Sequence, residues 1–206
     1  MKMILFLLLS SGLVSSLPSQ AQTLGVSQAA TTEQRLAEDL GVDRLRNALL
    51  LPSPDARNTA SLLQVGTANT ATINQASVGV LPNQATVIQV GASNALNLTQ
   101  TGLNNQTAFG QTGNANQATL RQTGSSNTID GHVVGNNNDL EVQQQGQDNR
   151  YSTQLTGNNG RYSIEQIGSG NSLTQRETSA TTPLPGYNVQ QQGTGMKLTI
   201  EQGKAY

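Results

Sequence analysis

From Asn58 onward, polar positions alternate with small or apolar ones in stretches of seven residues, and most of these stretches recur every eleven. Each stretch reads N-x-φ-x-φ-x-Q, with φ small or apolar, and is followed by a connection x-G-x-x. Alternate residues of a β-strand share a side, so Asn, both φ residues and Gln of one stretch project to a single face. That face holds Ala71 and Ile73, Leu96 and Leu98, Ala118 and Leu120, Leu140 and Val142, and Leu198 and Ile200. Thr70, Thr72, Asn74, Gln117, Thr119 and Arg121 fall on the other. The pattern predicts strands with one semi-apolar, amide-lined face and one polar face.

The frame fits thirteen times in succession. Strand starts fall at Asn58, Asn69, Asn83, Asn94, Asn105, Asn116, Asn127, Asn138, Asn149, Gly160, Asn171, Pro185 and Met196. Strand ends fall at Gln64, Gln75, Gln89, Gln100, Gln111, Gln122, Val133, Gln144, Leu155, Gln166, Glu177, Gln191 and Gln202. Ten of the twelve connections place glycine two residues after the Gln position: Gly66, Gly91, Gly102, Gly113, Gly124, Gly135, Gly146, Gly157, Gly168 and Gly193. There a tight reversal can demand φ > 0. The exceptions, Ser77 and Ser179, belong to the only two connections that are three residues longer, "ASVGVLP" and "TSATTPL", each with a proline. The glycine is lost where the tight turn is lost, which marks the frame as structural.

The same frame in successive units argues for like stacking on like. Two strands and two connections, 22 residues, make one rung, and rungs stack ~4.8 Å apart in an all-β solenoid. Odd-numbered strands then form one sheet and even-numbered strands the facing one. Tyr162 and Tyr187 stack inward in the same sheet, Asp139 lies beside Arg161 on the outer face, and the two long connections fall on opposite edges. Every Asn and Gln of the two series above becomes a self-assembly ladder residue, donating to one neighbouring copy and accepting from the other. This satisfies amides whose unpaired burial costs about 1–3 kcal/mol each.

Ahead of the repeats, residues 1–21 have one Lys, an apolar run from Met3 to Leu9 and the small-residue frame Ser19-Gln20-Ala21, the signature of a signal peptide. The run is too short to span a bilayer, so no transmembrane segment is expected in the mature chain. Residues 22–57 form a leader in which Leu36, Leu40, Leu45 and Leu49 recur at near-helical spacing, Thr31 or Thr32 can cap, and Pro52 and Pro54 end the pattern. A short amphipathic helix is expected there, acting as a solvated leader, a secretion or docking signal, or a cap on the repeats. Residues 203–206 are a C-terminal tail.

Composition narrows function by exclusion. Aromatics are 3% and charged residues 11% of 206 residues, with no Cys, no Trp and a net charge of −1. That is no basic stripe for nucleic acid and no disulfide framework. His132, the single histidine, and Glu141 and Glu165 sit at outward strand positions, with no nucleophile-and-base pair or convergent carboxylates. "GSSNT" and "GSGNS" are turn residues of the period. No catalytic residue, metal ligand or cofactor is expected; calcium-binding repeats would need recurrent Asp where this frame has Asn.

With Q-x-G-x-x-N-x-φ-x-φ-x-Q written out, as in Gln64/Gly66/Asn69/Gln75, Gln89/Gly91/Asn94/Gln100 and Gln111/Gly113/Asn116/Gln122, the chain resembles the curlin family, subunits of the functional amyloid fibres called curli. The match runs from Asn58 to Gln202, about seven-tenths of the chain. The resemblance implies export through the periplasm and an outer-membrane curli secretion pore. It further implies polymerisation at the cell surface with itself and other curlin subunits, for adhesion and biofilm matrix, and a leader that addresses the secretion channel. Six positions depart from the frame, and the last unit, "QQGTGMKLTIEQ", has Met in the Asn place, which looks more like the minor, nucleating subunit. The alternative from the residues alone is a monomeric extracellular solenoid adhesin or binding module, although the outward residues form no regular Thr array.

Overall fold

The computed structural model describes residues 58–77, 80–179 and 186–203. The signal peptide, the 22–57 leader with its helix, Pro185 and residues 204–206 of the tail lie outside the described residues. Within them the chain forms thirteen strands and no helix. These are β1 (Thr59–Thr67), β2 (Thr70–Ala76), β3 (Gln84–Ala92), β4 (Ala95–Leu103), β5 (Gln106–Asn114), β6 (Gln117–Ser125) and β7 (Thr128–Val134). They continue as β8 (Asp139–Gln147), β9 (Arg150–Thr156), β10 (Arg161–Ser169), β11 (Ser172–Thr178), β12 (Tyr187–Thr194) and β13 (Lys197–Gln202).

All pairing is parallel and sorts by parity: the seven odd-numbered strands make one sheet and the six even-numbered strands the other. Register follows the frame, with Gln100 on Gln122 and Gly102 on Gly124, for example. Partners lie 22 residues apart, or 25 where a long connection intervenes. This is the parallel β-solenoid expected from the period. Because the backbone ladder needs only stacked copies, most strands run three residues past the Gln position and take the glycine in with them.

The interior lies between the sheets. Leu98, Leu120, Ile129, Leu140, Leu155, Ile164 and Leu173 are completely or almost completely buried there, as are most of the frame amides. Two packing details follow from the φ positions. The Phe109 ring occupies the space where Gly131, its register partner, lacks a side chain: a Cβ on Gly131 would sit 2.6 Å from the ring. Gly160, which stands where the frame has Asn, leaves room in the same way for the Tyr162 ring.

The glycines do something different from making the sharpest bend. Gly124 has φ +116°, and a Cβ added there would collide with the carbonyl oxygen of Gly146 one rung on, so glycine serves both the backbone conformation and the close approach of rungs. The left-handed corner is the residue just before Asn: Ala68, Ser93, Asn104, Ala115, Ser126, Asn137, Asp148 and Asn159 have φ of 52–62°. Stacking supports that strained position, since the corner N–H donates to the preceding rung, as Ser126 does to the Leu103 carbonyl at 2.9 Å.

Candidate functional site

The glutamines of the six-stranded sheet bond from rung to rung without a break. Gln75, Gln100, Gln122, Gln144 and Gln166 each donate from Nε2 to Oε1 of the next glutamine, ending at Gln191, over 2.7–2.9 Å. Each also reaches across the interior to a backbone carbonyl of the facing sheet, as Gln122 does to Gln106 at 3.1 Å. In the seven-stranded sheet the corresponding line is short: Gln64 donates to Gln89 at 2.7 Å and Gln89 to Gln111 at 2.8 Å. Val133, Leu155 and Glu177 then take the place in β7, β9 and β11. Gln202 lies in register with Glu177, with no glutamine beneath it.

The asparagines line the two corners. Along one run Asn58, Asn83, Asn105, Asn127, Asn149 and Asn171, and along the other Asn69, Asn94, Asn116 and Asn138. Each Oδ1 accepts the backbone N–H of the next Asn, and for most also its Nδ2 at 3.0–3.1 Å. The remaining Nδ2 hydrogen reaches a glycine carbonyl one rung on, as Asn105 does to Gly124 at 3.0 Å. Asparagine thus ties the corner to the next glycine, and its side-chain donation runs opposite to that of glutamine. Gly160 and Met196 keep only the backbone half, their N–H groups donating to Asn138 and Asn171. A further asparagine line, Asn114–Asn136–Asn158, runs along an exposed corner and occupies only three copies, too few to stand out as part of the repeat.

Three of the six frame departures, Val133, Leu155 and Glu177, fall at one register place in successive strands of the seven-stranded sheet. Glu177 is buried, and its carboxylate accepts the Tyr162 hydroxyl at 2.6 Å, the Tyr187 hydroxyl and Gln175 Nε2 at 3.0 Å. Gln175 Oε1 in turn accepts the Tyr151 hydroxyl and Thr153 Oγ1. Tyr162 and Tyr187 are in register, as their spacing predicted, but meet edge to face with ring centroids 5.0 Å apart because both hydroxyls converge on Glu177. Burial, then the bond to Glu177, pushes both hydroxyls well above the ordinary tyrosine value, and burial does the same for Tyr151. A buried carboxylate held by neutral donors is otherwise costly, so these residues act as a unit. The signal lay in the frame: consecutive strands face each other end to start, so a Glu in the Gln place of β11 lies opposite Tyr residues near the starts of β10 and β12.

On the outer face Asp139 and Arg161 are register partners, and Arg176 meets Glu201 at 3.8 Å with both side chains exposed. His132 is exposed on β7, its ring against Gly110. Among the described residues no cluster of His, Asp or Glu could hold a metal ion. The remaining functional surface is the pair of stack ends, β1 and β2 at one and β12 and β13 at the other. Leu62 and Leu198, inward residues of the end strands, are 36% and 39% exposed there.

No family model, curated protein or solved structure matches the chain.

Proposed function

We propose that this chain is a secreted structural subunit of curli-type amyloid fibres, assembling with itself and other curlin subunits at the cell surface for adhesion and biofilm matrix. The observation that carries the reading is a parallel, in-register stack whose edges β1, β2, β12 and β13 have, among the described residues, a strand neighbour on one side only. Such edges present unpaired N–H and C=O groups and recruit further strands unless covered. Adding another rung continues the same backbone ladder that holds the interior, with no covalent chemistry. The resemblance to curlins, the expected signal peptide and the lack of cysteine support export through the periplasm and the outer-membrane curli pore. Met196, in the Asn place of the closing rung, favours the minor, nucleating member over the major one.

The test is polymerisation of residues 22–206. Thioflavin-positive fibres with ~4.7 Å and ~10 Å reflections are expected, while a protein that stays monomeric at high concentration supports a monomeric binding module instead. Adding a trace to a regular curlin subunit of the same cell should remove its lag if the chain is a nucleator.

A further inference from the structure

We infer that copies of this chain join head to tail with a half-turn about the stack axis between successive copies. In this arrangement β1 of one copy pairs with β12 of the copy before it, and β2 pairs with β13. The inference rests on the fibre reading above and concerns how the ends meet.

The first ground is parity. The described strands number thirteen, seven in one sheet and six in the other, and the stack both begins and ends with a strand of the larger sheet. The next vacant position beyond β13 therefore lies on β12, in the smaller sheet. A copy added by translation alone would lay its β1 on β13 and leave that position empty. The gap, two strand spacings or ~9.6 Å, would leave unpaired backbone groups on both sides in the interior of the fibre. A half-turn exchanges the two sheets and also reverses strand direction, so an incoming β1 lies parallel to β12 and fills the position.

The second ground is chemical complementarity at the frame register. Gln64 then lies on Gln191 and Gln75 on Gln202, Leu62 meets Val189, and Ile73 meets Ile200. Glutamine donation runs toward the C-terminal end of the stack, so that end offers the Nε2 of Gln191, while the first rung offers the Oε1 of Gln64 and Gln75. Joining like ends would set donors on donors and acceptors on acceptors. Joining unlike ends continues the line, and the half-turn lays the seven-stranded sheet of one copy on the six-stranded sheet of the next.

The chain has no cysteine, so a disulfide can report the junction. Thr72 and Thr199 are exposed and occupy the same outward place in β2 and β13. Across the half-turn junction their Cα atoms lie about one strand spacing apart, ~4.8 Å, within disulfide reach of ~4.4–6.8 Å. Within one copy they sit at opposite ends of the stack. Fibres of the full chain carrying Thr72→Cys with Thr199→Cys should, on mild oxidation, shift from monomer to a ladder of covalent multimers on a denaturing gel. Ser61→Cys with Thr199→Cys, the pair that translation would bring together, should stay monomeric. Multimers from the second pair, or from neither while fibres form, overturn the half-turn. Should either pair not assemble, Thr70→Cys with Lys197→Cys and Thr59→Cys with Lys197→Cys read the same two geometries. If the unsubstituted chain forms no fibres, the fibre reading itself falls and this junction with it; fibres with the wrong cross-link overturn the junction alone.

Discussion

The smaller sheet keeps a glutamine on every strand from Gln75 to Gln191, whereas the larger keeps it on β1, β3 and β5, changes to Val133, Leu155 and Glu177, and regains it at Gln202. Away from the stack ends, both solutions are buried and both are satisfied. Where an amide line stops, apolar Val133 and Leu155 come in adjacent rungs, so neither faces an orphaned amide, and Gln111 at the break still donates to the Ala95 carbonyl at 3.3 Å. Where polarity returns at Glu177, it returns with Gln175, Tyr162 and Tyr187 together. The solenoid therefore requires a satisfied interior at each level, not an amide as such. Replacing both partners of a hydrogen bond by apolar groups is nearly neutral, while removing one is not.

The sharpest way to break this comparison is at the larger sheet's polar end. Glu177→Leu removes the acceptor of two tyrosine hydroxyls and a glutamine amide. It should cost at least about 3 kcal/mol, since three neutral donors lose their acceptor at about 1–3 kcal/mol each, measured by urea unfolding of the chain before fibres form. Glu177→Gln, which restores the frame residue and keeps an acceptor, should cost less than half of that; equal losses would show that the cluster is not a hydrogen-bonded unit. Next comes Gln122→Leu in the smaller sheet. It leaves Gln144 Oε1 without the Gln122 donor and takes from Gln100 and Thr107 a shared acceptor. A loss of about 2–3 kcal/mol is expected, against under ~1.5 kcal/mol for Leu155→Met, a volume-conserving change between apolar residues.

The smallest effect at neutral pH, and the one most specific to the tyrosine end, is alkaline destabilisation. Tyr151, Tyr162 and Tyr187 are all held protonated by burial, the last two also by Glu177. Unfolded tyrosines ionise near pH ~10, so above that pH the unfolded state binds fewer protons than the folded one and stability falls as pH rises. Below it the contribution is fully present. Stability of the parent chain should be flat from neutral pH to about 10 and then decline. Tyr151→Phe should reduce that decline, and an unchanged slope would show that its hydroxyl ionises in place.

Much of this molecule is legible in the chain because a repeat makes one register serve every rung. The period set the strand count, the sheet each strand joins, the inward face with pairs such as Ala118 and Leu120, and the stacking of Asn on Asn and Gln on Gln. Those relations link equivalent positions of neighbouring rungs, and equivalence is a property of the sequence. What only the tertiary structure decided are contacts between non-equivalent positions. The frame sets the end of β11 opposite the starts of β10 and β12, but the convergence of the Tyr162 and Tyr187 hydroxyls on Glu177 was decided by packing across the interior. Gly160, just ahead of β10, yields space to the Tyr162 ring, and Asn105 reaches the carbonyl of Gly124. The glycines proved to be places of close rung approach, and the left-handed corner fell on the residue before the Asn place, where Asn104, Asn137, Asp148 and Asn159 suit that conformation but Ala68, Ser93, Ala115 and Ser126 have no propensity to announce it. From Ser93 on, their backbone N–H groups donate to the rung behind them, and that support exists only once the stack has formed.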